Sequence, residues 1–228
     1  LADKGNDAAA AFFRKPLRSY VLVTSLSIDD LPARRIKMGE CIITSLKKRG
    51  KRFPLPEVLS ALMNESSSIG HLRGTTYRVV RVSVRGRSVY DAADRALHSL
   101  HLLRALWSLP ATYGSWSIFG AGPPRRPLGI FHIGPIHTLH LPDGKPASDR
   151  LYWCEPNYAG DQAIFSDAKR WTRIERDRRR MMRQLRQLPY RCELESLLIR
   201  YVRALDEADI DVAFLQMWSI LEKVTGTI

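Results

Sequence analysis

An α+β domain followed by an all-α helical segment is the fold class the sequence predicts, and three observations predict it. Val80, Val82 and Val84 alternate with Arg81, Ser83 and Arg85, the period-two pattern of a strand with one wet face. An Ala- and Leu-rich helical pattern follows at once and ends near Pro110, as expected of a helix laid over a small sheet. From Pro189 onward the spacing becomes purely helical: Leu194, Leu197, Leu198, Tyr201, Val202 and Leu205 fall on one face. The chain divides into an arm over residues 1–16, an α+β domain over 17–158 with a mostly antiparallel sheet and a long covering helix, and a helical segment over 162–228.

The elements of the first domain follow in order. Tyr20 to Leu26 is β-branched enough for a strand and is closed by Asp29-Asp30-Leu31-Pro32. Cys41 to Thr44 is a second short strand, followed by the basic turn Lys47-Lys48-Arg49-Gly50-Lys51-Arg52, which reads as solvated. Residues 55–63 allow a short helix, and the Ser66-Ser67-Ser68 stretch reads as a loop. After the Val80–Val84 strand, Gly86 breaks the pattern, and Ser88 with Asp91 makes a capping box. In the helix that follows, Val89, Ala92, Ala96, Leu100 and Leu103 turn inward. Trp116 to Phe119 and Leu128 to Leu141 read as strands, with Leu151 to Cys154 closing the sheet.

Composition narrows the chemistry. The 228 residues carry 36 Lys and Arg against 23 Asp and Glu, a formal charge of +13, which attracts polyanions. Three separated cysteines (Cys41, Cys154, Cys192) give neither a disulfide framework nor a zinc ribbon and fit a reducing compartment. No apolar run reaches membrane-spanning length, so the expectation is a cytoplasmic piece of a larger protein, with no membrane partner. Phosphate-loop, dinucleotide, nucleophile-elbow and HExxH motifs are missing, and no cofactor is expected. His132, His137 and His140 invite a zinc proposal. Strand geometry puts 132 and 140 on one face and 137 on the other, so no metal site is assigned. The tryptophans read as core anchors.

The densest charge lies on Asp167 to Leu188. Helical projection sets Trp171, Ile174, Met181, Leu185 and Leu188 on one side and Lys169, Arg173, Arg176, Arg180 and Arg183 on the other. Arginine's planar fork binds phosphate in two-point contacts, and these five residues are the candidate nucleic-acid-binding set. Arg95 and His101 are the other pair of interest, separated by five residues on the long helix. Helical projection groups them with Asp91, Asp94 and His98 on the polar side, and they read as surface residues.

At the C-terminal end, Asp209 or Asp211 is the natural N-cap of a helix that closes at Gly226. Arg200-Tyr201, Ala204-Leu205-Asp206 and Phe214-Leu215-Gln216-Met217-Trp218-Ser219-Ile220-Leu221-Glu222 together resemble the Apea-like branch of the HEPN domains. These are helical bundles found in prokaryotic toxin and antiviral proteins. The resemblance covers about residues 190–228 and implies the first helices of an incomplete HEPN-like bundle. It further implies an RNA-binding or metal-independent ribonuclease-type effector. That activity rests on an Arg followed a few residues later by a His on a late helix. Arg95 and His101 match the spacing formally, and no His follows His140, so the implied catalytic helix lies outside these residues. Two functions follow: RNA contacted by the basic helix 167–188, or a non-catalytic module that assembles as a homo-oligomer through the HEPN-like helices.

Overall fold

A nine-residue strand, β1 (Arg18–Leu26), lies at the centre of the sheet because it is apolar on both faces. The computed structural model describes residues 10–46, 52–55, 77–112, 128–148, 152–155, 158 and 162–226. Around β1 are β2 (Ile36–Met38), β3 (Cys41–Leu46), β4 (Arg78–Gly86), β5 (Ile136–His140) and β6 (Tyr152–Cys154), all pairings antiparallel, in the order β2-β3-β4-β1-β5-β6. The expected strands at 20–26, 41–44 and 80–84 are present, and of the one expected at 151–154 the described residues Tyr152–Cys154 form β6; β2 is an addition. The strand expected over 128–141 is shortened to β5, and its first half crosses the end of β1 through one bridge, Leu26 with Ile133. The strand at 116–119, the helix at 55–63 and most of the basic turn at 47–52 lie outside the described residues.

Register decides which side chains reach the core. Leu22 faces Val82 on one side and Leu139 on the other, and Tyr20 faces Val84, so these apolar residues share one face. The opposite face holds Val21 and Val23, which Phe53 covers. The long helix α1 (Val89–Thr112) lies over the first face and starts as expected, with the Ser88 hydroxyl accepting from the Asp91 amide. Gly86 permits the close strand-to-helix turn: a Cβ there would sit 2.7 Å from the Ala92 backbone nitrogen. Pro110 does not end the helix, which runs on to Thr112.

Three further helices follow: α2 (Ala168–Gln187), α3 (Arg191–Asp206) and α4 (Ile210–Thr225). Asp167 caps α2 by accepting from the Arg170 amide, and Asp209 caps α4 by accepting from Asp211 and Val212. Gly226 adopts the left-handed conformation that closes α4. Trp171, Ile174, Met182 and Leu185 of α2 and Ile199 of α3 belong to the same buried cluster as Leu22, Val82, Leu103 and Trp107. Residues of the segments expected as 17–158 and 162–228 therefore share one core, with α1 laid on one face of the sheet and α2 and α3 packed against α1. The centre of that core is aromatic: Trp107, Phe131, Phe165 and Trp171 pack with ring centroids 4.8–5.5 Å apart.

The fourth helix differs. Among its described residues only Ala213 is buried, while Phe214, Leu215, Trp218, Leu221 and Val224 are each at least half exposed. Trp218 is therefore not a core anchor in this chain, unlike Trp107 and Trp171. No helix among the described residues is long and apolar enough to cross a membrane.

Candidate nucleic-acid interface

On α2 two faces separate as the helical projection requires. Lys169, Arg173, Arg176, Arg180 and Arg183 are all exposed, and Trp171, Ile174 and Leu185 are buried beneath them; Met182 is buried where Met181 was expected, and Met181 and Leu188 are half-buried. No described acid lies within ion-pair distance of Lys169, Arg173, Arg180 or Arg183. Arg176 lies 3.2 Å from Asp177, a pair at the surface. Pairs of that kind contribute at most about 1 kcal/mol, so they do not hold the guanidinium away from another anion.

Not every arginine of α2 belongs to this face. Arg178 is buried and binds Glu175 through two contacts, Nε to Oε2 at 2.8 Å and Nη2 to Oε1 at 2.7 Å. Arg179 Nε adds a third contact to Oε1 at 2.9 Å, and Trp107 Nε1–H donates to Oε2 at 3.4 Å. Burial pushes the Glu175 carboxyl up, but the hydrogen bonds from Arg178 and Arg179 and the Arg178 charge outweigh it, so its pKa is lowered. Arg170 is likewise engaged, donating to the Ala111 carbonyl and lying over the Phe165 ring. What remains free is a row of cations beside one internally neutralised carboxylate.

A groove of about 670 Å³ borders part of that row, lined by Pro32 on one side and by Trp171, Thr172, Glu175, Arg176, Arg179 and Arg183 of α2 on the other, so that Arg176 and Arg183 are the members of the row that reach it. Sequence reasoning did not find this groove, because its second wall comes from the β1–β2 connection. Trp171 Nε1 is the one buried side-chain nitrogen or oxygen among the described residues that lacks a hydrogen-bond partner.

The Arg95 and His101 pair is not brought together. Arg95 stays partly exposed and bonds Glu40 at 2.7 Å. His101, expected at the surface, is only 3% exposed. From Leu100 to Ser108 α1 is buried around its whole circumference, because α2 and α3 cover the side that projection marks as polar. There His101 Nδ1 lies 3.0 Å from Arg104 Nη1, and since guanidinium only donates, Nδ1 is the acceptor.

Arg104 is wholly buried and is the hub that joins three segments. Its Nη2 contacts both Asp206 oxygens at 2.7 and 2.6 Å, and its Nε donates to the Phe131 carbonyl at 2.6 Å. His132 Nε2–H donates to the Gly129 carbonyl, and its Nδ1 lies 3.4 Å from Asp206. The amides of Leu128 and Gly129 donate to the Leu205 carbonyl and so satisfy the end of α3. A Cβ on Gly129 would sit 3.0 Å from Asp206 Oδ1 and 2.9 Å from His132 Cε1, so a larger residue there would require these side chains to shift. The sequence signal was present: Arg104 falls on the stripe of Ala96 and Leu100, where an unpaired charge is not tolerated.

The other two histidines are used singly. His137 accepts from Thr24 at 2.7 Å and donates to Glu155 at 3.3 Å, while His140 bonds Thr138 and the Gly144 carbonyl. No group of His, Cys, Asp and Glu among the described residues is placed to hold a metal ion. Cys41 is buried, and burial pushes its thiol up.

These shifts set an acid sensitivity. Burial, and then the Arg104 and Arg203 charges, hold the His101 pKa well below 6.5. Burial works against ionisation of Asp206, but Arg104 and His132 outweigh it and its pKa is lowered. In all three groups (His101, Asp206, Glu175) the unfolded chain binds the proton more readily, so acid favours unfolding. Stability should therefore begin to fall below the ordinary His value of 6.5 and fall further as the two carboxylates protonate below the usual carboxylate range. Thermal melts at constant ionic strength check this. A melting temperature flat between pH 7.5 and about pH 5.5 would show that His101 titrates normally.

Neither the protein-family models nor the curated proteins nor the solved structures include a match to this chain.

Proposed function

We propose that the chain binds RNA through the exposed face of α2, as the RNA-contacting unit of a HEPN-type effector. One observation carries the reading: five cationic side chains stand on one exposed helical face, and four of them have no described acidic partner within ion-pair distance. The net charge of +13 supports it, since a basic field draws a polyanion to the surface before any contact forms. The resemblance of residues 190–228 to Apea-like HEPN domains supports RNA over other polyanions. The reading assigns binding, not cleavage, to these residues, because Arg95 and His101 face different surroundings. Fluorescence polarisation with a labelled oligoribonucleotide tests it. Affinity should fall linearly on a log–log plot against salt, with a slope of about −0.7 per phosphate engaged. Binding that ignores salt, or no binding at low salt, would refute it.

A second reading, assembly into a homo-oligomer, is favoured by the bare apolar face of α4. Sedimentation velocity should then show a dimer that dissociates in a Leu215→Glu or Trp218→Arg variant. A strict monomer across the micromolar range removes this reading.

A further inference from the structure

Resting on that RNA-binding reading, we infer that the groove between Pro32 and α2 is a phosphate subsite of the interface. In it Arg176, Arg179 and Arg183 take the charge, and the Trp171 indole N–H gains the acceptor it lacks.

Three independent features converge there. First, the groove is long enough for more than one group: Arg176 and Arg183 lie seven residues apart on a helix, a rise of about 10 Å. Arg179 falls between them, so successive cations meet the groove roughly once per turn. Second, the single carboxylate on its wall does not repel an anion as a free one would. Glu175 already accepts from Arg178, Arg179 and Trp107. Arg179 spends one nitrogen, Nε, on that carboxylate and is more than half exposed, which leaves its two terminal nitrogens for a ligand in the two-point geometry guanidinium offers phosphate. Third, Trp171 is buried with its Nε1 unpartnered, an arrangement that leaves a donor unsatisfied unless something else supplies an oxygen. Its ring is held by Phe131, Phe165 and Trp107. The ring is thus held in place before any ligand arrives. On the opposite wall Pro32 is preceded by the exposed acids Asp29 and Asp30, the second of which lies 3.8 Å from Arg78, and is followed by the exposed Arg34 and Arg35.

The occupant is the phosphodiester backbone of a single strand. Phosphate on a nucleic acid and phosphate in a free polyphosphate would meet the same donors, and the experiment separates them. The probe is the Trp171 indole N–H resonance in a ¹H–¹⁵N spectrum of the full chain, titrated in parallel with inorganic tripolyphosphate and with a short oligouridylate. The resonance is assigned by its loss in Trp171→Phe, or, where that variant fails to fold, by through-space contacts to the Phe131 and Phe165 rings.

Both probes should move the Trp171 resonance saturably, and Arg183→Glu should weaken each about tenfold, the scale of one charge-assisted contact. Oligouridylate that binds without moving Trp171 overturns the subsite and leaves the α2 interface intact. Tripolyphosphate that moves Trp171 while oligouridylate does not bind upholds the phosphate groove and overturns the RNA reading. Failure of both probes to move the resonance overturns the subsite.

Discussion

Replacing Asp206 with alanine should destabilise the chain by about 3–5 kcal/mol, the range for leaving one partner of a buried ion pair uncompensated. Arg104 is wholly buried, and Asp206 is the carboxylate that neutralises it. Without it the guanidinium keeps only the Phe131 carbonyl and His101 as acceptors, both neutral. Loss of that magnitude is a large part of the stability of a typical domain. Urea unfolding followed by tryptophan fluorescence measures it, since Trp107 and Trp171 lie in the same core. The control decides the mechanism: Arg104→Met combined with Asp206→Leu removes both charges and should recover most of the loss. A single variant within 1 kcal/mol of the parent would show that the pair does not hold α3 to α1.

The second large effect concerns binding. Changing Arg173, Arg176, Arg180 and Arg183 to glutamate should abolish measurable association with a short RNA at physiological salt. Each of the four sites loses a phosphate contact and gains a like charge. In a milder series, four single Arg→Gln changes should each reduce the salt slope by about 0.7 and leave thermal stability unchanged. That second clause is the discriminating one. These side chains are exposed, so a stability loss would mean they serve the fold. Full RNA affinity in the fourfold variant would move the interface elsewhere on this basic surface.

Much of this was legible in the residues. The 80–84 alternation, the Ser88–Asp91 start of α1, the two faces of α2 and both caps of α4 are local statements. They depend on periodicity and on groups a few residues apart. The candidate cations were legible for the same reason: a helix of period 3.6 fixes which side chains share a face before any packing occurs.

His101 was misplaced because projection reports the polarity of a helix's own residues and says nothing of what covers them. Two helices that come far later in the chain bury that side of α1 and convert a polar residue into a neutral hydrogen-bond acceptor. Pro110 misled for a smaller reason: it was read as a stop, yet the helix tolerates it two residues from its end.

What the sequence determined by itself is therefore the inventory of strands, helices, caps and charged faces, because each is specified by neighbours along the chain. Tertiary structure alone decided the rest. It merged the basic helix into the sheet's own core, joined Arg104 to Asp206 across 102 residues, and set Pro32 opposite Arg183 to make a groove. Burial and charge pairing are properties of surfaces that meet, and which surfaces meet depends on the packing of the whole chain.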